Sequence, residues 1–202
     1  FGKVLYKRKT KPHQWTKYVT PLMCGHAYKT NSLKDKIFFL EENIGEDLYL
    51  NILVNLKLKV IVVDYIGYNW LNNSKSISNT IHKGFNNSIN FLPFLQKLNS
   101  EIKSIKKVPP KEKIWLEYFF IKTCLYYILY SGRNVNYTIL KEENRKIWKW
   151  LKENYSQYKN NSNISLFSRN GESISTKVII WGYILLQKLH LENAFLWVYS
   201  KL

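Results

Sequence analysis

Two adjacent carboxylates, Glu46 and Asp47, are the residues of this chain whose type and placement point most directly to chemistry. They follow Gly45 and open a segment in which apolar residues recur at helical spacing, so we expect them in the first turn of a helix. A carboxylate there is favoured by the unpaired N–H groups and the macrodipole, by about 0.3–1 kcal/mol. A fixed carboxylate can also accept the proton that a hydroxyl nucleophile loses. Spacing alone favours the helix start, and the surrounding sequence must decide whether the pair has a chemical role.

Short motifs on both sides of the acidic pair occur in an order that resembles the family 2 glycosyltransferases. Upstream lie MCGHAYKTNSL at 23–33, which is similar to a small-residue turn of that family, and the apolar IFF at 37–39. Downstream, YNW at 68–70 and SIS at 76–78 resemble the family's element of tyrosines, arginine and serines. Order and spacing agree from about residue 18 to about residue 80.

The resemblance implies a fold, a reaction and roles for individual residues. The fold would be GT-A, the nucleotide-diphospho-sugar transferase fold. The reaction would be transfer of a sugar from a nucleotide-sugar donor to an acceptor hydroxyl, with inversion, in the synthesis of a cell-surface polysaccharide or lipid-linked glycan. Asp47 matches the general base of the family, and Glu46 would orient the acceptor by binding one of its hydroxyl groups.

Further residues are placed near the substrate by the same resemblance: Gly45, His26, Tyr68, Trp70 and Lys75. His26 lies in the turn where the acceptor pocket should open. Trp70 stands where the family has a tyrosine, and Leu71 stands where it has an arginine. The arginine's possible phosphate contact is therefore lost, and Lys75 is the residue placed to replace it. By contrast, His190 has no chemistry-bearing neighbours in the sequence.

The metal-binding D-x-D pattern of the family does not occur in this chain. The resemblance assigns it, with Mg²⁺ or Mn²⁺, to a preceding half of the catalytic domain. The chain is therefore interpreted as a fragment that begins inside the protein. Because a divalent metal neutralises charge on the leaving diphosphate, the fragment by itself is expected to be inactive.

The sequence predicts an α/β region followed by a helical region. LYLNILVNLKLK at 48–59 has helical spacing, and VIVVDYIGYNW at 60–70 is apolar on both faces, as in a covered strand. Four helices are expected near 79–105, 111–131, 139–158 and 174–200, with a polar, mobile loop at 159–165 and most aromatic side chains in the core. The predicted fold class is α/β, a partial GT-A half-domain (1–80, the acceptor side) followed by a helical extension (81–202).

The charge balance, 31 Lys and Arg against 14 Asp and Glu, gives a net charge of +17 and favours partners with negative charge. Besides the nucleotide-sugar donor and a glycan or lipid-linked acceptor, we expect peripheral contact with an anionic membrane. Nucleic acid is not expected, because the basic residues are not arranged in a stripe. One alternative from another class stays open, a non-enzymatic basic helical module that binds an anionic membrane or nucleic acid.

The location expected from the sequence is the cytoplasm. Cys24 and Cys124 stand a hundred residues apart in apolar sequence, which is typical of a reducing compartment. The longest apolar runs, at 114–130 and 177–198, are interrupted by charged residues, so no membrane-spanning helix is predicted. We therefore expect a cytoplasmic protein with peripheral contact at the inner face of the plasma membrane.

Overall fold

The computed structural model describes residues 3–7, 31, 46–57, 61–64, 83–85, 88–105 and 108–202. The chain divides into two compact units, one formed by Phe1–Asn72 with Asn90–Pro109 and the other by Asn73–Ile89 with Pro110–Leu202. The functional division near residue 80 stays a prediction.

The first unit contains a short strand pair and two helices within its described residues. Strand β1 (Lys3–Lys7) pairs antiparallel with β2 (Ile61–Asp64), with Lys3 opposite Asp64 and a register irregularity between Val4 and Tyr6. Helix α1 spans Glu46–Lys57, as the periodicity predicts, and α2 spans Ser88–Ser104, with its residues from 90 onward in this unit.

Helix α1 is buried on every side along most of its length. Every residue from Tyr49 to Leu56 is buried, which is typical of a helix inside a core rather than one lying on a surface. The run includes two asparagines, and Asn55 Nδ2 satisfies one of its donors on the carbonyl of Asn51 at 2.8 Å. The charged residues stand at the two ends of α1, where Glu46 and Lys57 are exposed. The buried middle of the helix is therefore held by its surroundings while both ends reach solvent.

The predicted α/β class is wrong. The described residues are mostly helical, and their two strands form one antiparallel pair instead of part of a larger covered sheet. The prediction depended on the apolar run at 60–70, of which Ile61–Asp64 is a strand and the rest lies outside the described residues. Short apolar runs of this kind do not distinguish strands from core segments. The buried apolar residues described in the first unit lie on α1 and α2.

The second unit is helical throughout its described residues. Its long elements are α3 (Pro110–Ser131), α4 (Tyr137–Asn154), α5 (Ile174–Lys188) and α6 (Glu192–Tyr199), with short 3₁₀ turns at Lys83–Phe85, Tyr158–Asn160 and Ser162–Ile164. The helices predicted near 111–131 and 139–158 are confirmed. The last predicted helix is broken in two, because His190 has a φ of 59° and a right-handed helix cannot continue through a left-handed residue.

Aromatic side chains from four segments form much of the core of the second unit. Phe120 of α3 meets Trp150 of α4 edge-on, with ring centroids 5.5 Å apart. Trp148 of α4 stacks on Tyr158 and on Tyr183, with both centroid distances 5.5 Å. Offset and edge-on aromatic pairs contribute beyond their buried area, so these contacts fix α4 against α3, α5 and the turn at Tyr158–Asn160.

The polar loop predicted to be mobile is packed and hydrogen-bonded. Asn161 is buried, and its Nδ2 donates to the carbonyl of Ile114 at 2.8 Å and to Glu117 Oε1 at 2.9 Å. Its Oδ1 accepts from the backbone N–H of Asn163 at 2.9 Å. Two of these bonds tie the loop to α3 and the third holds the loop to itself, so the expectation of mobility is wrong for these residues.

Glycine is required at position 132 and is dispensable at position 182. A Cβ at Gly132 would press on the carbonyl of Ile128 and stand 2.5 Å from Leu140 Cδ1, whereas nothing lies within 4 Å of one at Gly182. We expect Gly132→Ala to lower the free energy of unfolding by about 1–3 kcal/mol through overpacking. Gly182→Ala, inside α5, should raise it by about 0.5–1 kcal/mol. Urea denaturation of both variants measures the difference, and equal stabilities would contradict the packing of α3 against α4.

Asn161→Ala should destabilise the protein in a pH-dependent way. Burial raises the pKa of Glu117, and the hydrogen bond from Asn161 partly opposes that shift. Because the pKa of Glu117 is higher in the folded protein than in the unfolded chain, its ionisation destabilises the fold at any pH above the folded pKa. That destabilisation disappears as the pH falls from the folded pKa to the unfolded pKa. Without Asn161 the carboxylate loses a donor, so we expect a loss of about 1–3 kcal/mol at neutral pH and a smaller one in acid. Denaturation at both pH values tests this, and a pH-independent loss would contradict it.

Candidate functional site

The acidic pair that the sequence singled out lies in the first turn of α1. Glu46 is exposed and Asp47 is half-buried. Since the helix is buried from Tyr49 onward, the surrounding core fixes the position and direction of this turn. A carboxylate at the end of such an element is held in place and still reaches solvent, which is what a proton acceptor for an incoming hydroxyl requires.

The other residues predicted for this site, Gly45, His26, Tyr68, Trp70 and Lys75, lie outside the described residues. Among the residues that the structure does describe, no three His, Cys, Asp or Glu side chains come together as a metal site. The described part therefore supplies no ligand set for the expected Mg²⁺ or Mn²⁺, and that metal stays a prediction.

Tyr49, two residues after Asp47, is a neutral hydroxyl in this unit. Burial, with a smaller contribution from the charge of Glu101, raises the pKa of Tyr49 to about 12. Its phenol is therefore protonated at physiological pH, and it is unsuited to accept a proton from an acceptor hydroxyl. Of the groups in the first turns of α1, the carboxylates are the ones suited to that task.

A second site, in the second unit, was not expected from the sequence. It is an open cleft of about 440 Å³ where the ends of α4 and α5 meet the turn at Tyr158–Asn160. Its basic lining consists of Lys152, Lys159, Lys188 and His190. Lys152 stands in the last turn of α4 and Lys188 in the last turn of α5, where the negative end of the helix dipole favours a cation.

Hydrogen bonds fix two of these lysines against the floor of the cleft. Lys159 Nζ donates to the carbonyl of Gln187 at 3.2 Å, and Lys188 Nζ donates to Asn160 Oδ1 at 3.3 Å. Tyr158 contributes a third bond, from its hydroxyl to Gln187 Oε1 at 3.0 Å. The turn and the end of α5 are thereby linked in both directions, so the lysines project from a connected frame.

The positive charge of the cleft is poorly compensated. None of the ion pairs within the described residues involves Lys152, Lys159 or Lys188. Burial lowers the pKa of Lys159, the charges of Lys152 and Lys188 lower it further, and Glu192 acts in the opposite direction. Clustered cations that form no ion pair within the described residues are suited to bind an anion.

Sequence reasoning missed this cleft because its residues come from three separate segments. Lys152 and Lys188 are 36 positions apart, and His190 gains its basic neighbours through the meeting of two helix ends. Each helix, as the structure bounds it, carries a lysine in its last turn, but the helices predicted at 139–158 and 174–200 run past both lysines. The sequence shows where each lysine lies along its own helix, but it does not show which helix ends come together.

Comparison with protein-family models, with curated proteins and with solved structures found no match for this chain. None of the helices in the described ranges has the length and apolar character needed to cross a membrane.

Replacing one cleft lysine should change the titration of another. Lys188→Gln removes a positive charge that lowers the pKa of Lys159, so we expect the pKa of Lys159 to rise. Lys149→Gln is the matched control, because Lys149 lies on α4 but is not among the charges that act on Lys159. Carbon-13 NMR titration of labelled lysines measures both, and an unchanged or lower pKa in the Lys188 variant would contradict the proximity of these charges.

Proposed function

We propose that this chain is part of an inverting glycosyltransferase in which Asp47 is the general base. The observation that carries the proposal is that Asp47, half-buried, stands in the first turn of a helix whose following residues are all buried. That is the position to which the ordered motifs between about residues 18 and 80 assign the base. The proposal rests on this residue order and on the placement of the acids, and requires no GT-A half-sheet.

The step assigned to this chain is acceptance of a proton. As the acceptor hydroxyl attacks the anomeric carbon, a new C–O bond forms and its proton passes to a carboxylate oxygen of Asp47. The bond from the anomeric carbon to the donor diphosphate breaks, and the nucleoside diphosphate leaves. A base needs a position within about 3 Å of the hydroxyl, and the buried helix behind Asp47 gives it a fixed one. Glu46, which is exposed, would hold a second hydroxyl of the acceptor.

The metal, and with it most of the donor site, is assigned to the half of the catalytic domain that the resemblance places before this chain. The Mg²⁺ or Mn²⁺ of the proposal would neutralise charge on the leaving diphosphate, through the D-x-D pattern that this chain lacks. The described residues have two tasks in this proposal: they position the acceptor and they accept its proton. We also propose a cytoplasmic location and a glycan or lipid-linked acceptor, and the net positive charge suits an acceptor presented at an anionic membrane.

The test compares two matched variants in the protein at its native length. Asp47→Asn removes the base, and Glu112→Gln neutralises a half-buried carboxylate in the first turn of α3. With a panel of nucleotide sugars, acceptors and Mn²⁺ or Mg²⁺, we expect Asp47→Asn to slow nucleotide release by roughly a hundredfold or more, since a positioned base contributes on that order. Glu112→Gln should remain within about twofold of wild type, because its carboxylate lies on another element.

Donor binding and folding of the Asp47 variant separate a chemical defect from a structural one. Retained affinity for the nucleotide sugar and an unchanged circular dichroism spectrum, with slow turnover, support the assigned role. An unchanged rate in Asp47→Asn would leave the acidic pair as a helix start only. If the wild-type protein releases nucleotide from none of the donors, the non-enzymatic basic helical module becomes the better account.

A further inference from the structure

Helix α5 exposes an apolar stripe on the face opposite the core. Its core face is formed by buried residues that include Ile180, Tyr183 and Ile184. The stripe consists of Ile174, Val178, Trp181 and Leu185, which follow one another at helical spacing and are 80%, 49%, 40% and 37% exposed. The helix is thus apolar on two sides, and only one of them is covered within the described residues.

The stripe runs directly into the basic cleft. Lys188, which lines the cleft, is one turn beyond Leu185 on the same helix, and Leu189, 56% exposed, follows it. Helix α6 also exposes Trp197 and Val198. Apolar side chains and tryptophan next to lysines are the composition of surfaces that lie in a membrane interface, where the apolar groups enter the headgroup boundary and the lysines meet anionic headgroups.

We propose that this cleft binds the phosphate of an anionic membrane lipid while the α5 stripe inserts into the membrane interface. The ligand is a phosphate-bearing headgroup, held by Lys152, Lys159 and Lys188. A volume of about 440 Å³ is within the range of small-molecule sites and accommodates such a group. The proposal does not rest on glycosyl transfer, because neither the cleft nor the stripe includes any residue of α1.

Charge complementarity favours a lipid surface over a second copy of the chain. In a two-fold dimer the same patch faces itself, and neither the stripe nor the cleft lining includes a carboxylate, so a second copy would cover the stripe without neutralising the lysines. The net charge of +17 adds repulsion between copies. An anionic bilayer covers the apolar side chains and neutralises the lysines in one contact, with each lysine near the surface strengthening binding roughly fivefold.

The test is flotation of the 202-residue chain with vesicles of phosphatidylcholine alone or mixed with phosphatidylglycerol. The cleft variant combines Lys152→Gln, Lys159→Gln and Lys188→Gln. The control variant removes the same charge from exposed lysines outside the cleft, through Lys97→Gln, Lys113→Gln and Lys141→Gln. The stripe variant combines Ile174→Gln and Val178→Gln, two of the stripe's most exposed positions.

We expect the wild-type chain to float with the anionic vesicles and to bind the neutral ones far more weakly. The cleft variant should bind anionic vesicles about a hundredfold more weakly, from three lysines together, and the control variant within about threefold of wild type. The stripe variant should lose at least about tenfold, because two large apolar side chains no longer enter the interface. Lys152→Glu is a second cleft variant, chosen because Lys159 and Lys188 hold the turn by hydrogen bonds whereas Lys152 forms none within the described residues.

Several outcomes would overturn the proposal. Absence of wild-type binding to anionic vesicles would do so, as would equal losses in the cleft and control variants, which would indicate a general charge effect. Calorimetric titration with inorganic phosphate distinguishes the source of the ligand. If the wild-type chain binds phosphate but no vesicles, and the cleft variant loses phosphate binding, the cleft is a site for a soluble anion. Concentration-dependent dimerisation that the stripe variant abolishes, without vesicle binding, would assign the stripe to a second copy.

Discussion

The second unit depends on the stacking of Trp148 against Tyr158 and Tyr183. The three rings join the middle of α4 to the turn at Tyr158–Asn160 and to the centre of α5, with both centroid distances at 5.5 Å. The phenols are buried, and burial raises the pKa of Tyr158 and of Tyr183, so both remain neutral donors. Tyr183 donates to Asn144 Oδ1 at 2.5 Å and Tyr158 to Gln187 Oε1 at 3.0 Å, so each hydroxyl taken out of water has an acceptor.

The basic cleft is a consequence of this stack. Once the rings bring α4, the turn and α5 together, the last turns of both helices end at the same place, and each carries a lysine. Burial lowers the pKa of Lys159, Glu192 opposes that shift, and the charges of Lys152 and Lys188 add to it, so a bound anion would offset the cost of keeping Lys159 charged. Stability of the core and accumulation of charge at its edge therefore have the same origin. Loss of the stack would separate the lysines as well as open the core.

Sequence reasoning succeeded where the determinants are local. Helical spacing located α1, α3 and α4, and the acids Glu46 and Asp47 marked the start of α1 correctly. It failed for the sheet, because an apolar run such as 60–70 specifies burial without specifying strand partners, and Ile61–Asp64 pairs with distant Lys3–Lys7. The roles of His26, Tyr68, Trp70 and Lys75 stay predictions, since these residues lie outside the described ranges. The cleft required knowledge of which helix ends meet, and no pattern within one segment contains that information.

Helix α5 shows why composition alone misplaces aromatic and aliphatic residues. Its sequence is apolar on nearly all sides, which predicts a helix inside a core, and Ile180, Tyr183 and Ile184 are indeed buried. Trp181 and Val178 point the other way and remain exposed, although nothing in their residue types distinguishes them from the buried set. A single exposed tryptophan is ordinary, but this apolar stripe runs for three turns and ends beside lysines that form no ion pair within the described residues. The α5 stripe is complementary to apolar groups and the cleft lysines are complementary to anions, and an anionic bilayer interface presents both kinds of group.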